Sequence, residues 1–252
     1  MMNFSAAIRN VLGRIFALWA MLVFIATMLP ALLLVLIFRI YKDPRRVQLF
    51  HAMSKIWMRI FFFLTGCRLK VKGKNNFKKG NHYIVICNHN SLMDIPVTTP
   101  FIPGANKTIA KIDMAKIPLF GLIYKTGSVL VDRKDKNSRQ KSLAAMKEVL
   151  DMGLHMCIYP EGTRNKTGRP LGEFHGGAFR LAFETKSDII PALIFNTRRI
   201  LPGNKIFYFW PSKIELHFLT AVPVKESDNY EALKEKLYNL MVAYYSNNRQ
   251  NA

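Results

Sequence analysis

"HYIVICNHNSLMD", residues 82–94, decides how the rest of this chain is read. Tyr83 to Cys87 is an unbroken apolar run, the pattern of a strand covered on both faces, where alternation is lost. The run stops at a polar turn, Asn88 to Ser91. Asp94 and Pro96 then open a helix, since Pro fits a first helical turn whose N–H groups have no partner anyway. Strand, turn and helix in that order form the unit of a layered α/β fold. The turn also carries His89, with Asp94 five residues on. A chain with six His acquires a His-x4-Asp spacing by chance in roughly one case in six, so this stretch alone supports two readings. One is a histidine base steadied by a carboxylate. The other is a solvated loop histidine beside a helix-capping aspartate.

The same alternation continues along the chain. Strand-like runs occupy 108–112, 127–132, 155–160, 188–195 and 213–219. Helical candidates lie between them. In 138–152, Ser138 offers a cap, Leu143, Met146 and Leu150 form one stripe, and Gly153 supplies a stop. A second helix is expected at 176–186. A third, at 228–247, opens on the capping-box-like Asp228 and Glu231. The prediction is an α/β fold, a layered and mostly parallel sheet flanked by helices. Segment 103–126 reads as loop, with Lys107, Lys111, Lys116 and Lys125 on a candidate groove rim.

The N-terminus is of a different kind. From Ile15 to Phe38 no residue is charged, enough for a helix to cross a bilayer. Arg9 and Arg14 precede it, and the denser cluster Arg39, Lys42, Arg45 and Arg46 follows, which places the remainder on the cytoplasmic side. Pro30 is compatible with a single span or with a hairpin inside one leaflet. "WMRIFFFLTGC", 57–67, reads either as an interfacial helix or as one packed on the domain. The expected organisation is a membrane-anchoring helical segment over 1–66 and an α/β domain over 67–252, at the cytoplasmic (inner) membrane. The net charge of +21 over 252 residues suits an anionic lipid face, a phosphate-rich substrate or nucleic acid. Nucleic acid is disfavoured, because the cations form no dense arm in a chain that is half apolar. Three Cys far apart and without CxxC spacing argue against a disulfide framework or a zinc site and fit a reducing compartment. No metal is expected.

Ligands of layered α/β folds bind beyond the carboxyl ends of the strands. Those ends carry His89 and Asp94, then Asp132 and Arg133, then Glu161 to Arg164. Gly162 lets backbone approach a ligand closely. Arg164 offers a planar fork suited to phosphate oxygens, and Glu161 can steady that Arg or another base. A strand-exit turn with a surface ion pair explains the same residues.

Four ordered blocks settle the choice by likeness. Asn88 to Asp94, Gly127 to Arg133, Tyr159 to Arg164 and Ile189-Ile190-Pro191-Ala192 resemble those of the glycerolipid acyltransferases, and among them the bacterial lysophosphatidate acyltransferases, over roughly 67–225. The resemblance implies that His89 is the general base and Asp94 its orienting partner. It implies that Arg133, Glu161, Gly162, Thr163 and Arg164 bind the lysolipid phosphate, with Asn88, Lys111, Gly127 and Pro191 completing the substrate site. The implied reaction is direct acyl transfer from acyl-CoA or acyl-ACP to the sn-2 hydroxyl of a lysophospholipid, in a lipid bilayer, with no cofactor beyond that co-substrate. Tyr159 stands where Phe is usual, and Leu130 replaces a common aromatic. Phe174-His175-Gly176-Gly177 stands where relatives often carry lysines. Another lysolipid acceptor, such as a lyso-ornithine lipid, and a non-catalytic anionic-lipid-binding protein are the alternatives.

Overall fold

A computed structural model describes residues 4–132, 134–224 and 229–249. Helix α1 (Phe4–Phe38) and helix α2 (Arg45–Leu64) come first. Strands and helices then alternate: β1 (Arg68–Lys72), β2 (Ile84–Cys87), α3 (Asp94–Thr98), β3 (Asn106–Lys111), α4 (Phe120–Gly127), β4 (Ser128–Val131), α5 (Lys136–Asp151), β5 (His155–Ile158), α6 (Gly177–Thr185), β6 (Ile189–Phe195), α7 (Thr197–Ile200), β7 (Lys213–Phe218) and α8 (Tyr230–Asn248). The seven strands form one sheet in the order β1-β7-β6-β2-β5-β3-β4. All neighbours are parallel except β6 and β7. The expected α/β class is the observed one.

β2 lies between β5 and β6 and is fully buried. Its side chains alternate between two apolar layers. Val85 and Cys87 face the layer containing α1 and α2, while Ile84 and Ile86 face the one containing α5, α6 and α8. Both faces are covered, so both sets are apolar and the run reads as continuous. Each of the six strands expected from sequence is present within a residue or two of its expected ends. β1 was not foreseen: three of its five residues, RLKVK, are cationic and its burial alternates at the sheet edge. Segment 103–126 is more ordered than expected, containing α4 besides the β3 strand foreseen at 108–112.

Two helix caps differ from expectation. α5 is capped by Asp135, whose oxygens accept from the N–H groups of Asn137 and Ser138 at 3.0 Å. Ser138 instead accepts from Asp132 N–H at 2.9 Å and ties the strand exit to the helix. α8 is capped by Asn229, which accepts from Glu231 N–H. Asp228 lies outside the described residues.

α1 is one continuous helix through Pro30, so a hairpin within it is excluded. It packs on α2 and α4. Trp57 donates to Thr27 Oγ1 at 2.9 Å, Trp19 donates to the Leu64 carbonyl at 2.9 Å, and Phe24 meets the rings of Trp57, Phe61 and Phe120. Ala17, Ala20, Ala31, Leu32 and Val35 of α1 belong to the same apolar layer as Ile190 and Leu216 of the sheet. Segment 57–67 answers both of its readings. Trp57, Met58, Phe61 and Phe62 are buried, while Ile56, Ile60 and Phe63 are exposed.

Trp57→Ala removes a buried ring and its part-buried hydrogen bond to Thr27, and is expected to cost about 3–5 kcal/mol. Phe63, 83% exposed, is expected to tolerate Ala without measurable loss. Thermal unfolding of the two variants in detergent checks the pair.

Candidate active site

The site lies at the carboxyl ends of β2 and β5. The chain leaves β2 at Asn88, whose side chain is fully buried and replaces a ladder pair. It accepts from Ile194 N–H at 2.7 Å and donates to the Ile194 carbonyl at 3.0 Å. His89 follows. Its N–H donates to Glu161 Oε1 at 2.7 Å, and its carbonyl accepts from Asn165 N–H at 2.7 Å. The His89 main chain is therefore held on both sides by the segment that follows β5.

Asp94 heads α3 but caps nothing in it. Its Oδ2 lies 2.8 Å from His89 Nδ1 and accepts from the N–H groups of Asn90 (2.5 Å) and Ser91 (2.7 Å). Its Oδ1 accepts from Thr197 Oγ1 at 2.6 Å. Turning back over residues 89–91 is how a spacing of five, too long for one helix face, brings the pair together. Asp94 has no exposed surface, and an unpaired charge there would cost several kcal/mol. Four donors meet that requirement. A carboxylate on Nδ1 makes that nitrogen the proton-bearing one and leaves Nε2 with its lone pair.

The imidazole is backed by Tyr159, with ring centroids 4.6 Å apart and the planes tilted by 36°. The Tyr159 hydroxyl, which Phe would lack, donates to Thr98 Oγ1 at 3.1 Å, and Thr98 in turn donates to the Asp94 carbonyl. Burial keeps the Tyr159 phenol protonated well above its usual range.

His89 lines a cavity of about 920 Å³ with Lys111, Gly162, Thr163, Arg164, His175 and Arg180. A second, more apolar cavity of about 530 Å³ adjoins it, since Leu92, Ile95, Met114 and Tyr124 wall both. The second is enclosed by α1 (Ala17, Ala20, Met21), α2 (Trp57, Phe61) and α4 (Phe120, Ile123).

The expected substrate-binding residues divide accordingly. Lys111, Gly162, Thr163 and Arg164 stand on the first cavity with His89, although Lys111 also pairs with Asp113 at 2.5 Å. Gly162 adopts φ 67°, which spares a side chain strain in the turn closed on the Tyr159 carbonyl. Glu161 does not face the cavity. Its second oxygen accepts from Gly172 N–H at 2.7 Å, and a Cβ at Gly172 would sit 2.6 Å from it. Burial raises its carboxyl above the ordinary range, against the pull of the His89 and Gly172 N–H donors. Asn88 is committed to Ile194, and Pro191 is buried within β6, so neither is placed for substrate contact. Gly127 borders the apolar cavity, where a Cβ would fall 2.5 Å from the Phe50 ring. Arg133 lies outside the described residues. Asp132 sits in the turn to α5 rather than on the cavity. Thr197 and Asn165 were not foreseen. Thr197 is 103 residues from Asp94 in sequence, and a lone threonine after a strand carries no signal of that contact.

The acyltransferase family model matches residues 68–195 of the chain. The chain is 33% identical over 188 residues to the 1-acyl-sn-glycerol-3-phosphate acyltransferase of Helicobacter pylori, covering 73% of this chain and 78% of that protein. It is 32% identical over 162 residues to a chloroplastic 1-acyl-sn-glycerol-3-phosphate acyltransferase of Arabidopsis thaliana, covering 64% of this chain and 45% of that protein. Its fold matches the crystal structure of the 1-acyl-sn-glycerophosphate acyltransferase PlsC from Thermotoga maritima with a TM-score of 0.79 at 21% identity, over 95% of this chain and 98% of that one. With the family model spanning half its length and a bacterial relative aligned over most of both chains, this chain belongs to the acyltransferase family.

Proposed function

We propose that the chain is a membrane-associated 1-acyl-sn-glycerol-3-phosphate acyltransferase, moving a fatty acyl group from acyl-CoA or acyl carrier protein to the sn-2 hydroxyl of lysophosphatidate to give phosphatidic acid. The observation that carries this reading is the buried Asp94 carboxylate 2.8 Å from His89 Nδ1, on a cavity it shares with Arg164. The names borne by the Helicobacter and Arabidopsis relatives point to the same acceptor.

A hydroxyl is a weak nucleophile, and His89 Nε2 removes its proton as the oxygen attacks the thioester carbonyl. The tetrahedral oxyanion collapses, the carbon–sulfur bond breaks, and the departing thiolate takes the proton back from the imidazolium. Asp94 holds the productive tautomer and compensates the imidazolium while it exists. Arg164, Lys111 and the Gly162–Thr163 turn receive the acceptor phosphate. The fatty chain lies in the apolar cavity. Glu161, Asn88 and Thr197 position the reacting groups without touching substrate. A thioester needs no metal activation, and this mechanism invokes none.

In this reading residues 1–66 engage the membrane and 67–252 form the catalytic domain. α1 is packed against α2, α4 and the segment around Tyr208 from Gly13 to Val35, so it lies in one leaflet with its free face in lipid. Crossing the bilayer would carry the attached sheet into hydrocarbon. The cations that follow α1 face the cytoplasm and its anionic lipids.

A screen of the purified protein with labelled acyl-CoA against lysophosphatidate, glycerol 3-phosphate and neutral lysolipids tests the proposal. Turnover with lysophosphatidate alone is expected. Turnover confined to a lysolipid lacking a phosphomonoester would keep the chemistry and change the acceptor. His175 on the cavity wall, where relatives often carry lysine, favours that second reading.

His89→Ala is expected to abolish turnover, and Asp94→Asn to lower kcat by about a hundred- to ten-thousand-fold, since an amide cannot compensate an imidazolium. The double variant is expected to be scarcely worse than His89→Ala, because residues acting as a unit lose activity non-additively. Steady-state kinetics on variants with unchanged melting temperature check this, and a fully active Asp94→Asn enzyme would return Asp94 to a purely structural role. Arg164→Lys keeps the charge but loses the bidentate fork. The expected outcome is a raised KM for the acceptor with the donor KM unchanged. An equal rise in both would assign Arg164 to the fold or to the donor.

A further inference from the structure

The connection between α7 and β7, "LPGNKIFYFWPS" at 201–212, presents large apolar side chains to solvent. Ile206 is 92% exposed and Phe207 is 47% exposed. Phe207 is held at φ 48°, a left-handed conformation that is unfavourable for a bulky residue. Strain kept in an exposed loop is an indicator of use. The residues that follow fix this tip to α1. Phe209 N–H donates to the Gly13 carbonyl at 2.9 Å. Tyr208 lies so close over Gly13 that a Cβ there would fall 2.0 Å from its ring. Phe16 meets Trp210 edge-on at 5.6 Å, and the Arg9 guanidinium stands 5.0 Å from the same ring. The tip therefore continues the free apolar face of α1, formed in this region by Ile8, Val11, Leu12 and Ile15. Next to it Lys205 holds its ammonium 4.1 Å from the ring of the buried Tyr208. An exposed apolar tip with the cationic side chains of Arg9 and Lys205 close by is the combination that inserts into an anionic leaflet. Lys205, Phe207 and Tyr208 also wall the apolar cavity opposite Ala17, Ala20 and Met21 of α1.

We infer that the 202–208 loop is a second lipid-inserting element, placing Ile206 and Phe207 among the acyl chains of an anionic leaflet beside α1, so that α1 and the loop form the two lips of the apolar cavity. The inference rests on the membrane reading given above and adds to it the loop and the position of the cavity mouth. Lipid is the occupant favoured over a second protein surface, because the tip is continuous with an apolar helix face and is framed by cations rather than by mixed charge.

Cys67, Cys87 and Cys157 are all buried, so one introduced surface thiol can be labelled selectively. Full-length Ile206→Cys, Ile15→Cys and Leu240→Cys variants, each carrying a nitrobenzoxadiazole probe, are mixed with phosphatidylcholine vesicles containing about a quarter phosphatidylglycerol, with and without chain-spin-labelled lipid. Leu240 is exposed on α8, across the sheet from α1, and serves as the aqueous reference. The expected result is a blue-shifted, several-fold brighter probe at 206 and at 15, both quenched by the spin label, with no change at 240. A probe at 206 that stays aqueous while the probe at 15 enters lipid overturns the loop proposal and leaves the membrane reading standing. Probes at 206 and 15 that both stay aqueous overturn the membrane reading itself. A blue shift at 206 that appears without vesicles and grows with protein concentration also overturns the proposal, because it marks docking between copies of the chain.

Discussion

Asp94 brings a carboxylate to a position with no solvent exposure, and the local structure around it is organised to supply its donors. Two come from the turn that it folds back upon, one from the His89 ring and one from Thr197. The last of these reaches across from β6, so the distant segment must be in register before the carboxylate is satisfied. Asn88 secures that register by pairing with both main-chain groups of Ile194, and Ser91 adds a 2.8 Å bond to the Leu201 carbonyl. Buried polar networks of this kind are stabilising only when complete, since each donor removed leaves an acceptor without compensation. The turn carrying His89 is therefore rigid because it is expensive to distort.

Glu161 performs the matching service from the other side. Sequence reasoning placed it among the phosphate-binding residues, as the resemblance implied. The structure turns it inward, one oxygen on His89 N–H and the other on Gly172 N–H. Arg164, three residues later, is the member of the same short run that reaches the cavity. One turn thus separates a fixing residue from a cavity residue. Gly162 between them permits the reversal by adopting a left-handed conformation.

The buried strands and their order were legible because covering both sheet faces forces long apolar runs, and because the polar residues at the strand ends break them. The positions of His89, Asp94 and Arg164 at strand ends were legible for the same reason, while the roles expected of them came from the resemblance. β1 was not, since an edge strand with one solvated face tolerates Lys and Arg at alternate positions. Residues that act through long-range main-chain contacts were also misread or missed. Asn88 and Glu161 look like site residues in sequence and prove to be ties, while Thr197 looks like nothing until β6 is beside β2. Hydrogen bonds between segments 103 or 106 residues apart leave no periodicity for a single sequence to display.

The placement of α1 links the lipid question to the catalytic one. A detachable anchor would bury its own apolar face and leave the domain core closed without it. Instead Ala17, Ala20 and Val35 share a layer with the sheet, and the wall of the apolar cavity beside His89 is partly α1 itself. The small side chains of Ala17 and Ala20 line this space and leave it unfilled. Moving a fatty chain from lipid through water costs about 0.8 kcal/mol for each methylene exposed. On the proposed reading a cavity walled by the lipid-facing helix removes that cost, because the chain passes from one apolar surroundings to another while only its reactive end meets His89. The helix that holds the protein in the leaflet is then also part of the substrate site.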